Sequence, residues 1–157
     1  MLYELKLYFT FALLLRKLIF MMYTSNDILP INKRNRRSIF LAGNMDHKQK
    51  GSWSAKVIAE FGTHDIFDPT HTHYHELNAA QMKQHIKWQL AALQQSDFIL
   101  LNFLKNSKSP ISFVALRKCI KWNSPMIICP KEIYISSDVH THCKQYNTPI
   151  FSNIKEA

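Results

Sequence analysis

The stretch from Trp88 to Arg117, WQLAALQQSDFILLNFLKNSKSPISFVALR, restricts the fold more than any other part of the chain. A helix pattern gives way there to an apolar run, a polar loop and a new helix start. From Asn78 to Gln95 the apolar residues Ala79, Met82, Ile86, Leu90 and Leu93 recur at helical spacing with lysines and glutamines between them, and Asn78 can cap that helix. Gln89 shares a face with His85 and Leu93, towards the sheet. Phe98–Phe103 follows, apolar enough to be a central strand. Within it Asn102 calls for a buried partner near the strand's carboxyl end. Ser109 as N-cap and Pro110 at the first helical position make a strong helix start, whose free N–H groups can hold an anion or a ligand hydroxyl.

The same alternation runs through the remaining sequence. Ser38–Ala42 is a short apolar run that breaks into Gly43-Asn44. Ser52 can cap a helix over Trp53–Phe61, with Gly62 as its stop. Trp53 reads as packing, with the pocket mouth as its alternative place. His64–Asp68 is a second strand with a sharp exit at Pro69. Pro125–Cys129 is a fourth strand, Ser136 or Ser137 starts a further helix through Tyr146, and Thr148–Phe151 is a short edge strand in which Pro149 is tolerated. These elements predict an open, three-layered, parallel α/β sheet of five strands with right-handed crossovers, in the flavodoxin-like, Rossmannoid order 2-1-3-4-5.

A length of 157 residues with 46% hydrophobic content suits one domain with a real core. We expect it to cover residues 38–157, preceded by an apolar and then basic extension over 1–37. Residues 1–37 hold seven Lys and Arg against Glu4 and Asp27, so much of the +9 formal charge lies outside that domain. No stacking aromatics accompany the basic run at 33–37, which reads as a solvated lead-in; nucleic acid is not an expected partner. The uncharged run Leu7–Leu15 is too short to span a bilayer, and Glu4 with no cleavage site argues against a secretory signal, so a membrane is not expected either. Residues 1–22 could be an interfacial helix or a packing helix; we take them as upstream sequence, with Met21 or Met22 as the start. Three cysteines without a short-spaced pair indicate neither a disulfide framework nor a zinc motif, and a cytoplasmic, reducing setting follows. His71, His73 and His75 alternate as metal ligands on an extended segment could, but three neutral histidines on a loop read better as surface residues. No metal or cofactor is expected: no Walker-type loop and no GxGxxG occurs, and the chain has three glycines in all.

Beyond these patterns, the stretch that opened this section resembles the nucleoside 2-deoxyribosyltransferase-like proteins. Trp88, Leu90, Asp97, Ser109, Pro110, Ile111, Ser112 and Leu116 fit their pattern without a gap. Weaker matches extend the resemblance over Ser38–Phe151: Ala42-Gly43-Asn44, Asp68-Pro69 and Cys129-Pro130. Three positions depart from it, two of them where the chemistry should be carried. The first glutamate of the motif is Gln89, and the glutamate that serves the family as nucleophile falls at Ala115; Arg117 stands where the family has Gly. The resemblance implies a nucleoside or nucleotide-like small molecule as ligand and a homo-oligomer whose pockets are completed across subunits. Gly43, Asn44, Asp68, Gln89, Asn102, Ser109 and Ser112 are the expected ligand contacts. The departures point to a degenerate member that binds a nucleoside, nucleotide or related ribosyl ligand. The alternative is an active N-glycosidic-bond enzyme, transferring deoxyribose or hydrolysing nucleosides with Asp46 or Asp68 as its carboxylate.

Overall fold

A computed structural model of the chain describes residues 21–30, 36–43, 53–71, 73–104, 110–121, 125–133 and 136–157. Six strands and four helices alternate along it: β1 (Met22–Tyr23), β2 (Ser38–Gly43), α1 (Trp53–Glu60), β3 (Asp65–Phe67), α2 (Ala79–Gln95), β4 (Phe98–Asn102), α3 (Pro110–Cys119), β5 (Pro125–Ile128), α4 (Ser136–Gln145) and β6 (Ile150–Phe151). All strand pairs are parallel, in the order β1-β3-β2-β4-β5-β6. The five expected strands stand in the expected order. A sixth, β1, is added outside β3, where the Ile66 N–H donates to the Met21 carbonyl and the Asp68 N–H to the Tyr23 carbonyl, each at 2.9 Å.

Period-2 alternation sends successive strand residues to opposite faces, and it divides the core in two. Phe40, Ala42, Phe67, Ile99, Leu101 and Ile127 face a larger cluster with Trp88 and Ala92 of α2, Leu116 and Cys119 of α3, and Val139 and Cys143 of α4. Ile39, Leu41, Ile66, Leu100 and Ile128 face a smaller one, covered by Trp53 and Val57 of α1 and by Ile154 and Ala157 near the carboxyl terminus. Among the described residues, three helices thus cover one face, and one helix with a short terminal segment packs on the other.

Two local devices fix the frame. At the amino ends of β2 and β4, Asp97 Oδ2 accepts from the Ser38 N–H at 2.8 Å and the Ser38 hydroxyl at 3.0 Å, a structural role like the one the family resemblance implies. At the start of α2, the Asn78 side chain accepts from the Gln81 N–H while the Gln81 side chain accepts from the Asn78 N–H, a reciprocal capping box. The buried face of α2 is rotated from the apolar stripe of the sequence. His85, Trp88 and Ala92 are buried, while Ile86 and Leu90 are 46% and 51% exposed. Trp88 sets this rotation: its ring fills the larger cluster and its Nε1–H donates to the Asp27 carbonyl at 2.9 Å, pinning the turn after β1 to α2.

Candidate functional site

In open α/β sheets ligands bind beyond the carboxyl ends of the strands, where the connections diverge to opposite faces. Here that point lies between β2 and β4, whose last residues Gly43 and Asn102 pair directly. Gly43 has φ +107°, and a Cβ on it would lie 2.2 Å from the Asn102 carbonyl oxygen. The group that approaches Gly43 is therefore the neighbouring backbone. The Asn102 side chain, on a 5% exposed residue, borders a cavity of about 580 Å³, within the size range of small-molecule pockets. Phe103 and Leu104 beyond β4, Ile128 and Pro130 of the β5 end, Trp53 and Lys56 of α1 and the segment Ser152–Lys155 complete its walls. Trp53 is thus both core and cavity lining. Its surroundings are apolar, with Lys56, Glu60, Asn102 and Asn153 as the polar groups that could orient a ligand.

Among the described residues, the other expected contacts do not line this cavity. Asp68 is buried beyond the end of β3, and its Oδ1 accepts from both the N–H and the hydroxyl of Thr70, which stabilises the turn after Pro69. Gln89 lies on α2 with its Nε2 2.9 Å from Nε2 of His85, one turn earlier. The Gln89 amide and the His85 ring thus share one hydrogen bond, whose direction follows the tautomer of the ring. Burial, with a smaller contribution from His71, holds the His85 pKa below the ordinary histidine value. Ser112 and Ala115 lie on the sheet-facing stripe of α3 with Leu116 and Cys119. Ser112 is buried, and Ala115 packs its methyl against the larger cluster, on the face of the sheet opposite the cavity. Asn44, Asp46 and Ser109 lie outside the described residues.

The histidine segment is not extended. Tyr74–Glu76 forms one turn of 3-10 helix, with His73 and His75 exposed and His71 and Tyr74 stacked edge-on against His85 at 5.8 and 5.6 Å. Among the described residues no three His, Cys, Asp or Glu side chains gather as a metal set, and no helix is long and apolar enough to cross a membrane. The three cysteines are free and buried; burial raises each thiol pKa, to about 11 at Cys119 and Cys143. Sequence reasoning missed His85 as a structured polar centre. The signal was present as a histidine and a glutamine four residues apart, flanking a tryptophan on a helix with few other large apolar residues.

The sequence model of the family described as nucleoside 2-deoxyribosyltransferase like matches residues 36–133, from the entry into β2 to the loop after β5. No curated protein matches the chain. The matched span is more than half of the chain and holds the first strand of the expected order, the β2–β4 switch point and the α2–β4–α3 unit; the chain belongs to the nucleoside 2-deoxyribosyltransferase-like family.

Proposed function

We propose that this chain binds a nucleoside, a nucleotide or a related ribosyl ligand at the carboxyl edge of its sheet and does not carry out covalent deoxyribosyl transfer. The observation that carries this reading is the chemistry of the two positions where the family resemblance expects carboxylates. Covalent transfer needs a nucleophilic atom in line with the leaving base. Ala115 offers a methyl group packed into the core, and Gln89 offers an amide committed to His85. Along the same stripe of α3, Ser112 is buried without a neighbouring base in the described structure, and the Cys119 thiol, with its pKa pushed up to about 11, stays protonated at neutral pH. Asp68 is the weaker substitute because Thr70 already engages one of its oxygens; Asp46 is the other carboxylate for an active reading.

Binding does not require those carboxylates. In this reading Asn102 donates and accepts at the mouth of the cavity beside α1, and Asn44 and Ser109 are the further contacts proposed for the ligand. A homo-oligomer fits the exposed pair Ile86 and Leu90, one turn apart on α2, as an apolar surface that a second copy would cover.

The test is base exchange and hydrolysis on purine and pyrimidine 2′-deoxynucleosides, with calorimetric binding of the same compounds. It compares the natural chain with Asn102→Ala and with an Ala115→Glu, Gln89→Glu double variant whose folding is checked by circular dichroism. Saturable binding without turnover, weakened in Asn102→Ala, is the expected result. Turnover by the natural chain would overturn the silent-site reading and direct the search to Asp46 and Asp68. Activity appearing only in the double variant would mean that the pocket is intact and its chemistry alone has been removed.

A further inference from the structure

Polar groups are unevenly distributed around the cavity beside α1. Among the described residues that line it, Lys56, Glu60, Ser152, Asn153 and Lys155 are exposed, whereas Asn102 is only 5% exposed. Alternation along β4 turns Asn102 to the same face as Leu100, towards α1. Among the described residues its side-chain amide has no hydrogen-bond partner, and neither amide atom is sealed from solvent, so the group opens on the cavity. A buried amide that finds no partner within the protein calls for one from elsewhere. Around it Trp53, Phe103, Leu104, Ile128 and Pro130 make apolar walls.

These walls discriminate between the two halves of a ribosyl ligand. A sugar carries several hydroxyl groups, each of which costs about 1–3 kcal/mol when buried without a hydrogen bond, and one amide cannot satisfy them all. A heterocyclic base is apolar over both faces and polar along its edge. The Asn102 amide presents an acceptor beside donors, and does so whichever way the amide is turned. Its complement is an edge on which a ring N–H stands next to a carbonyl oxygen, the lactam edge of oxo-purines and oxo-pyrimidines.

We propose that the cavity takes the base of its ligand between these apolar walls, with a lactam edge paired to the Asn102 amide and the sugar directed to the exposed rim. There the sugar hydroxyls stay in water and keep their hydrogen bonds, while the base leaves water for an apolar surface. This orientation rests on the nucleoside reading above and names the end of the ligand that the chain recognises.

The test is calorimetric titration of the full chain. It compares 2′-deoxyuridine and 2′-deoxyinosine, whose bases each carry a single ring N–H, with derivatives methylated at that nitrogen. Uracil, hypoxanthine, 2-deoxyribose and ribose 5-phosphate are titrated separately. Saturable binding of the nucleosides and free bases is expected, with no binding of the two sugars, and methylation should weaken affinity about tenfold or more. In Asn102→Leu, a change to an apolar side chain of similar size, parent and methylated nucleosides should bind alike. Equal affinity of the two for the natural chain, or a methylation effect that persists in Asn102→Leu, would overturn the pairing. Binding of a sugar without binding of either base would overturn the orientation and leave the ribosyl reading standing. Failure of every compound to bind would overturn both. The methylated compounds probe the natural chain, so the pairing is tested even if the variant does not fold.

Discussion

Replacing Gly43 by Ala tests whether the switch point of the sheet is held together by backbone contact. At φ +107° a residue with a Cβ is strained by about 1–3 kcal/mol. The added Cβ would sit 2.2 Å from the Asn102 carbonyl oxygen and 2.9 Å from its nitrogen. Ordinary carbon–oxygen contacts lie at roughly 3.3–3.6 Å, so the ends of β2 and β4 must separate by about 1 Å. That separation sacrifices at least one ladder hydrogen bond, worth about 1 kcal/mol net. The unfolded chain loses entropy in the variant, which returns roughly 0.4–1 kcal/mol. The balance is a loss of about 1–3.6 kcal/mol, or a fall in Tm of roughly 2–14 °C for a domain of this size. Urea unfolding followed by far-UV circular dichroism measures it directly, with an unchanged m value showing that only stability has moved. Gly62→Ala is the control, because its Cβ would meet one carbonyl oxygen at 3.0 Å and no positive φ is involved. A Gly43→Ala variant within about 1 kcal/mol of the natural chain would refute the backbone-contact argument and return Gly43 to a role in ligand approach alone.

Asp97→Ala removes the acceptor of the Ser38 N–H and hydroxyl at the opposite end of the same two strands, and a loss of about 1–3 kcal/mol is expected in chemical denaturation. The lowered His85 pKa has a definite sign: the unfolded state binds its proton first as pH falls, so the contribution of His85 to stability is full above pH ~6.5 and declines below it. A melting series on His85→Gln should show a shallower decline below that pH than the natural chain. With their pKa values raised to about 11, Cys119 and Cys143 should react with a thiol reagent at pH ~8 only as fast as the chain opens. Rapid labelling of the folded protein would contradict their burial.

The sheet was readable because its central strands are short apolar runs between helix patterns, and Ile39 to Ala42 and Ile99 to Leu101 are buried as those runs require. β1 was not readable. Two residues carry no periodicity, and Met22 and Tyr23 gain their place only from the free edge of β3 and the Trp88 indole. The orientation of α2 was misjudged for a related reason, since an apolar count ranks Ile86 and Leu90 above His85, whereas the sheet surface selects the face that buries Trp88. At the carboxyl edge, composition located Gly43 and Asn102, but only three-dimensional placement separates a glycine demanded by its neighbour's carbonyl from one demanded by a ligand.

Both borders of the sheet are two-residue strands, β1 and β6. A long exposed edge offers unpaired N–H and C=O groups on which another molecule can add a strand, the first step of edge-to-edge aggregation. β1 covers β3, whose three residues are all buried, and β6 covers β5, with Pro149 just ahead of β6 lacking an N–H of its own. Each border is thus too short to template a neighbour. The cover over β3 is held by two backbone hydrogen bonds, by the burial of Tyr23 against Phe67 and by the tie of the β1 turn to α2 through the Trp88 indole. The same contact that seats a helix thus also helps to close an edge of the sheet.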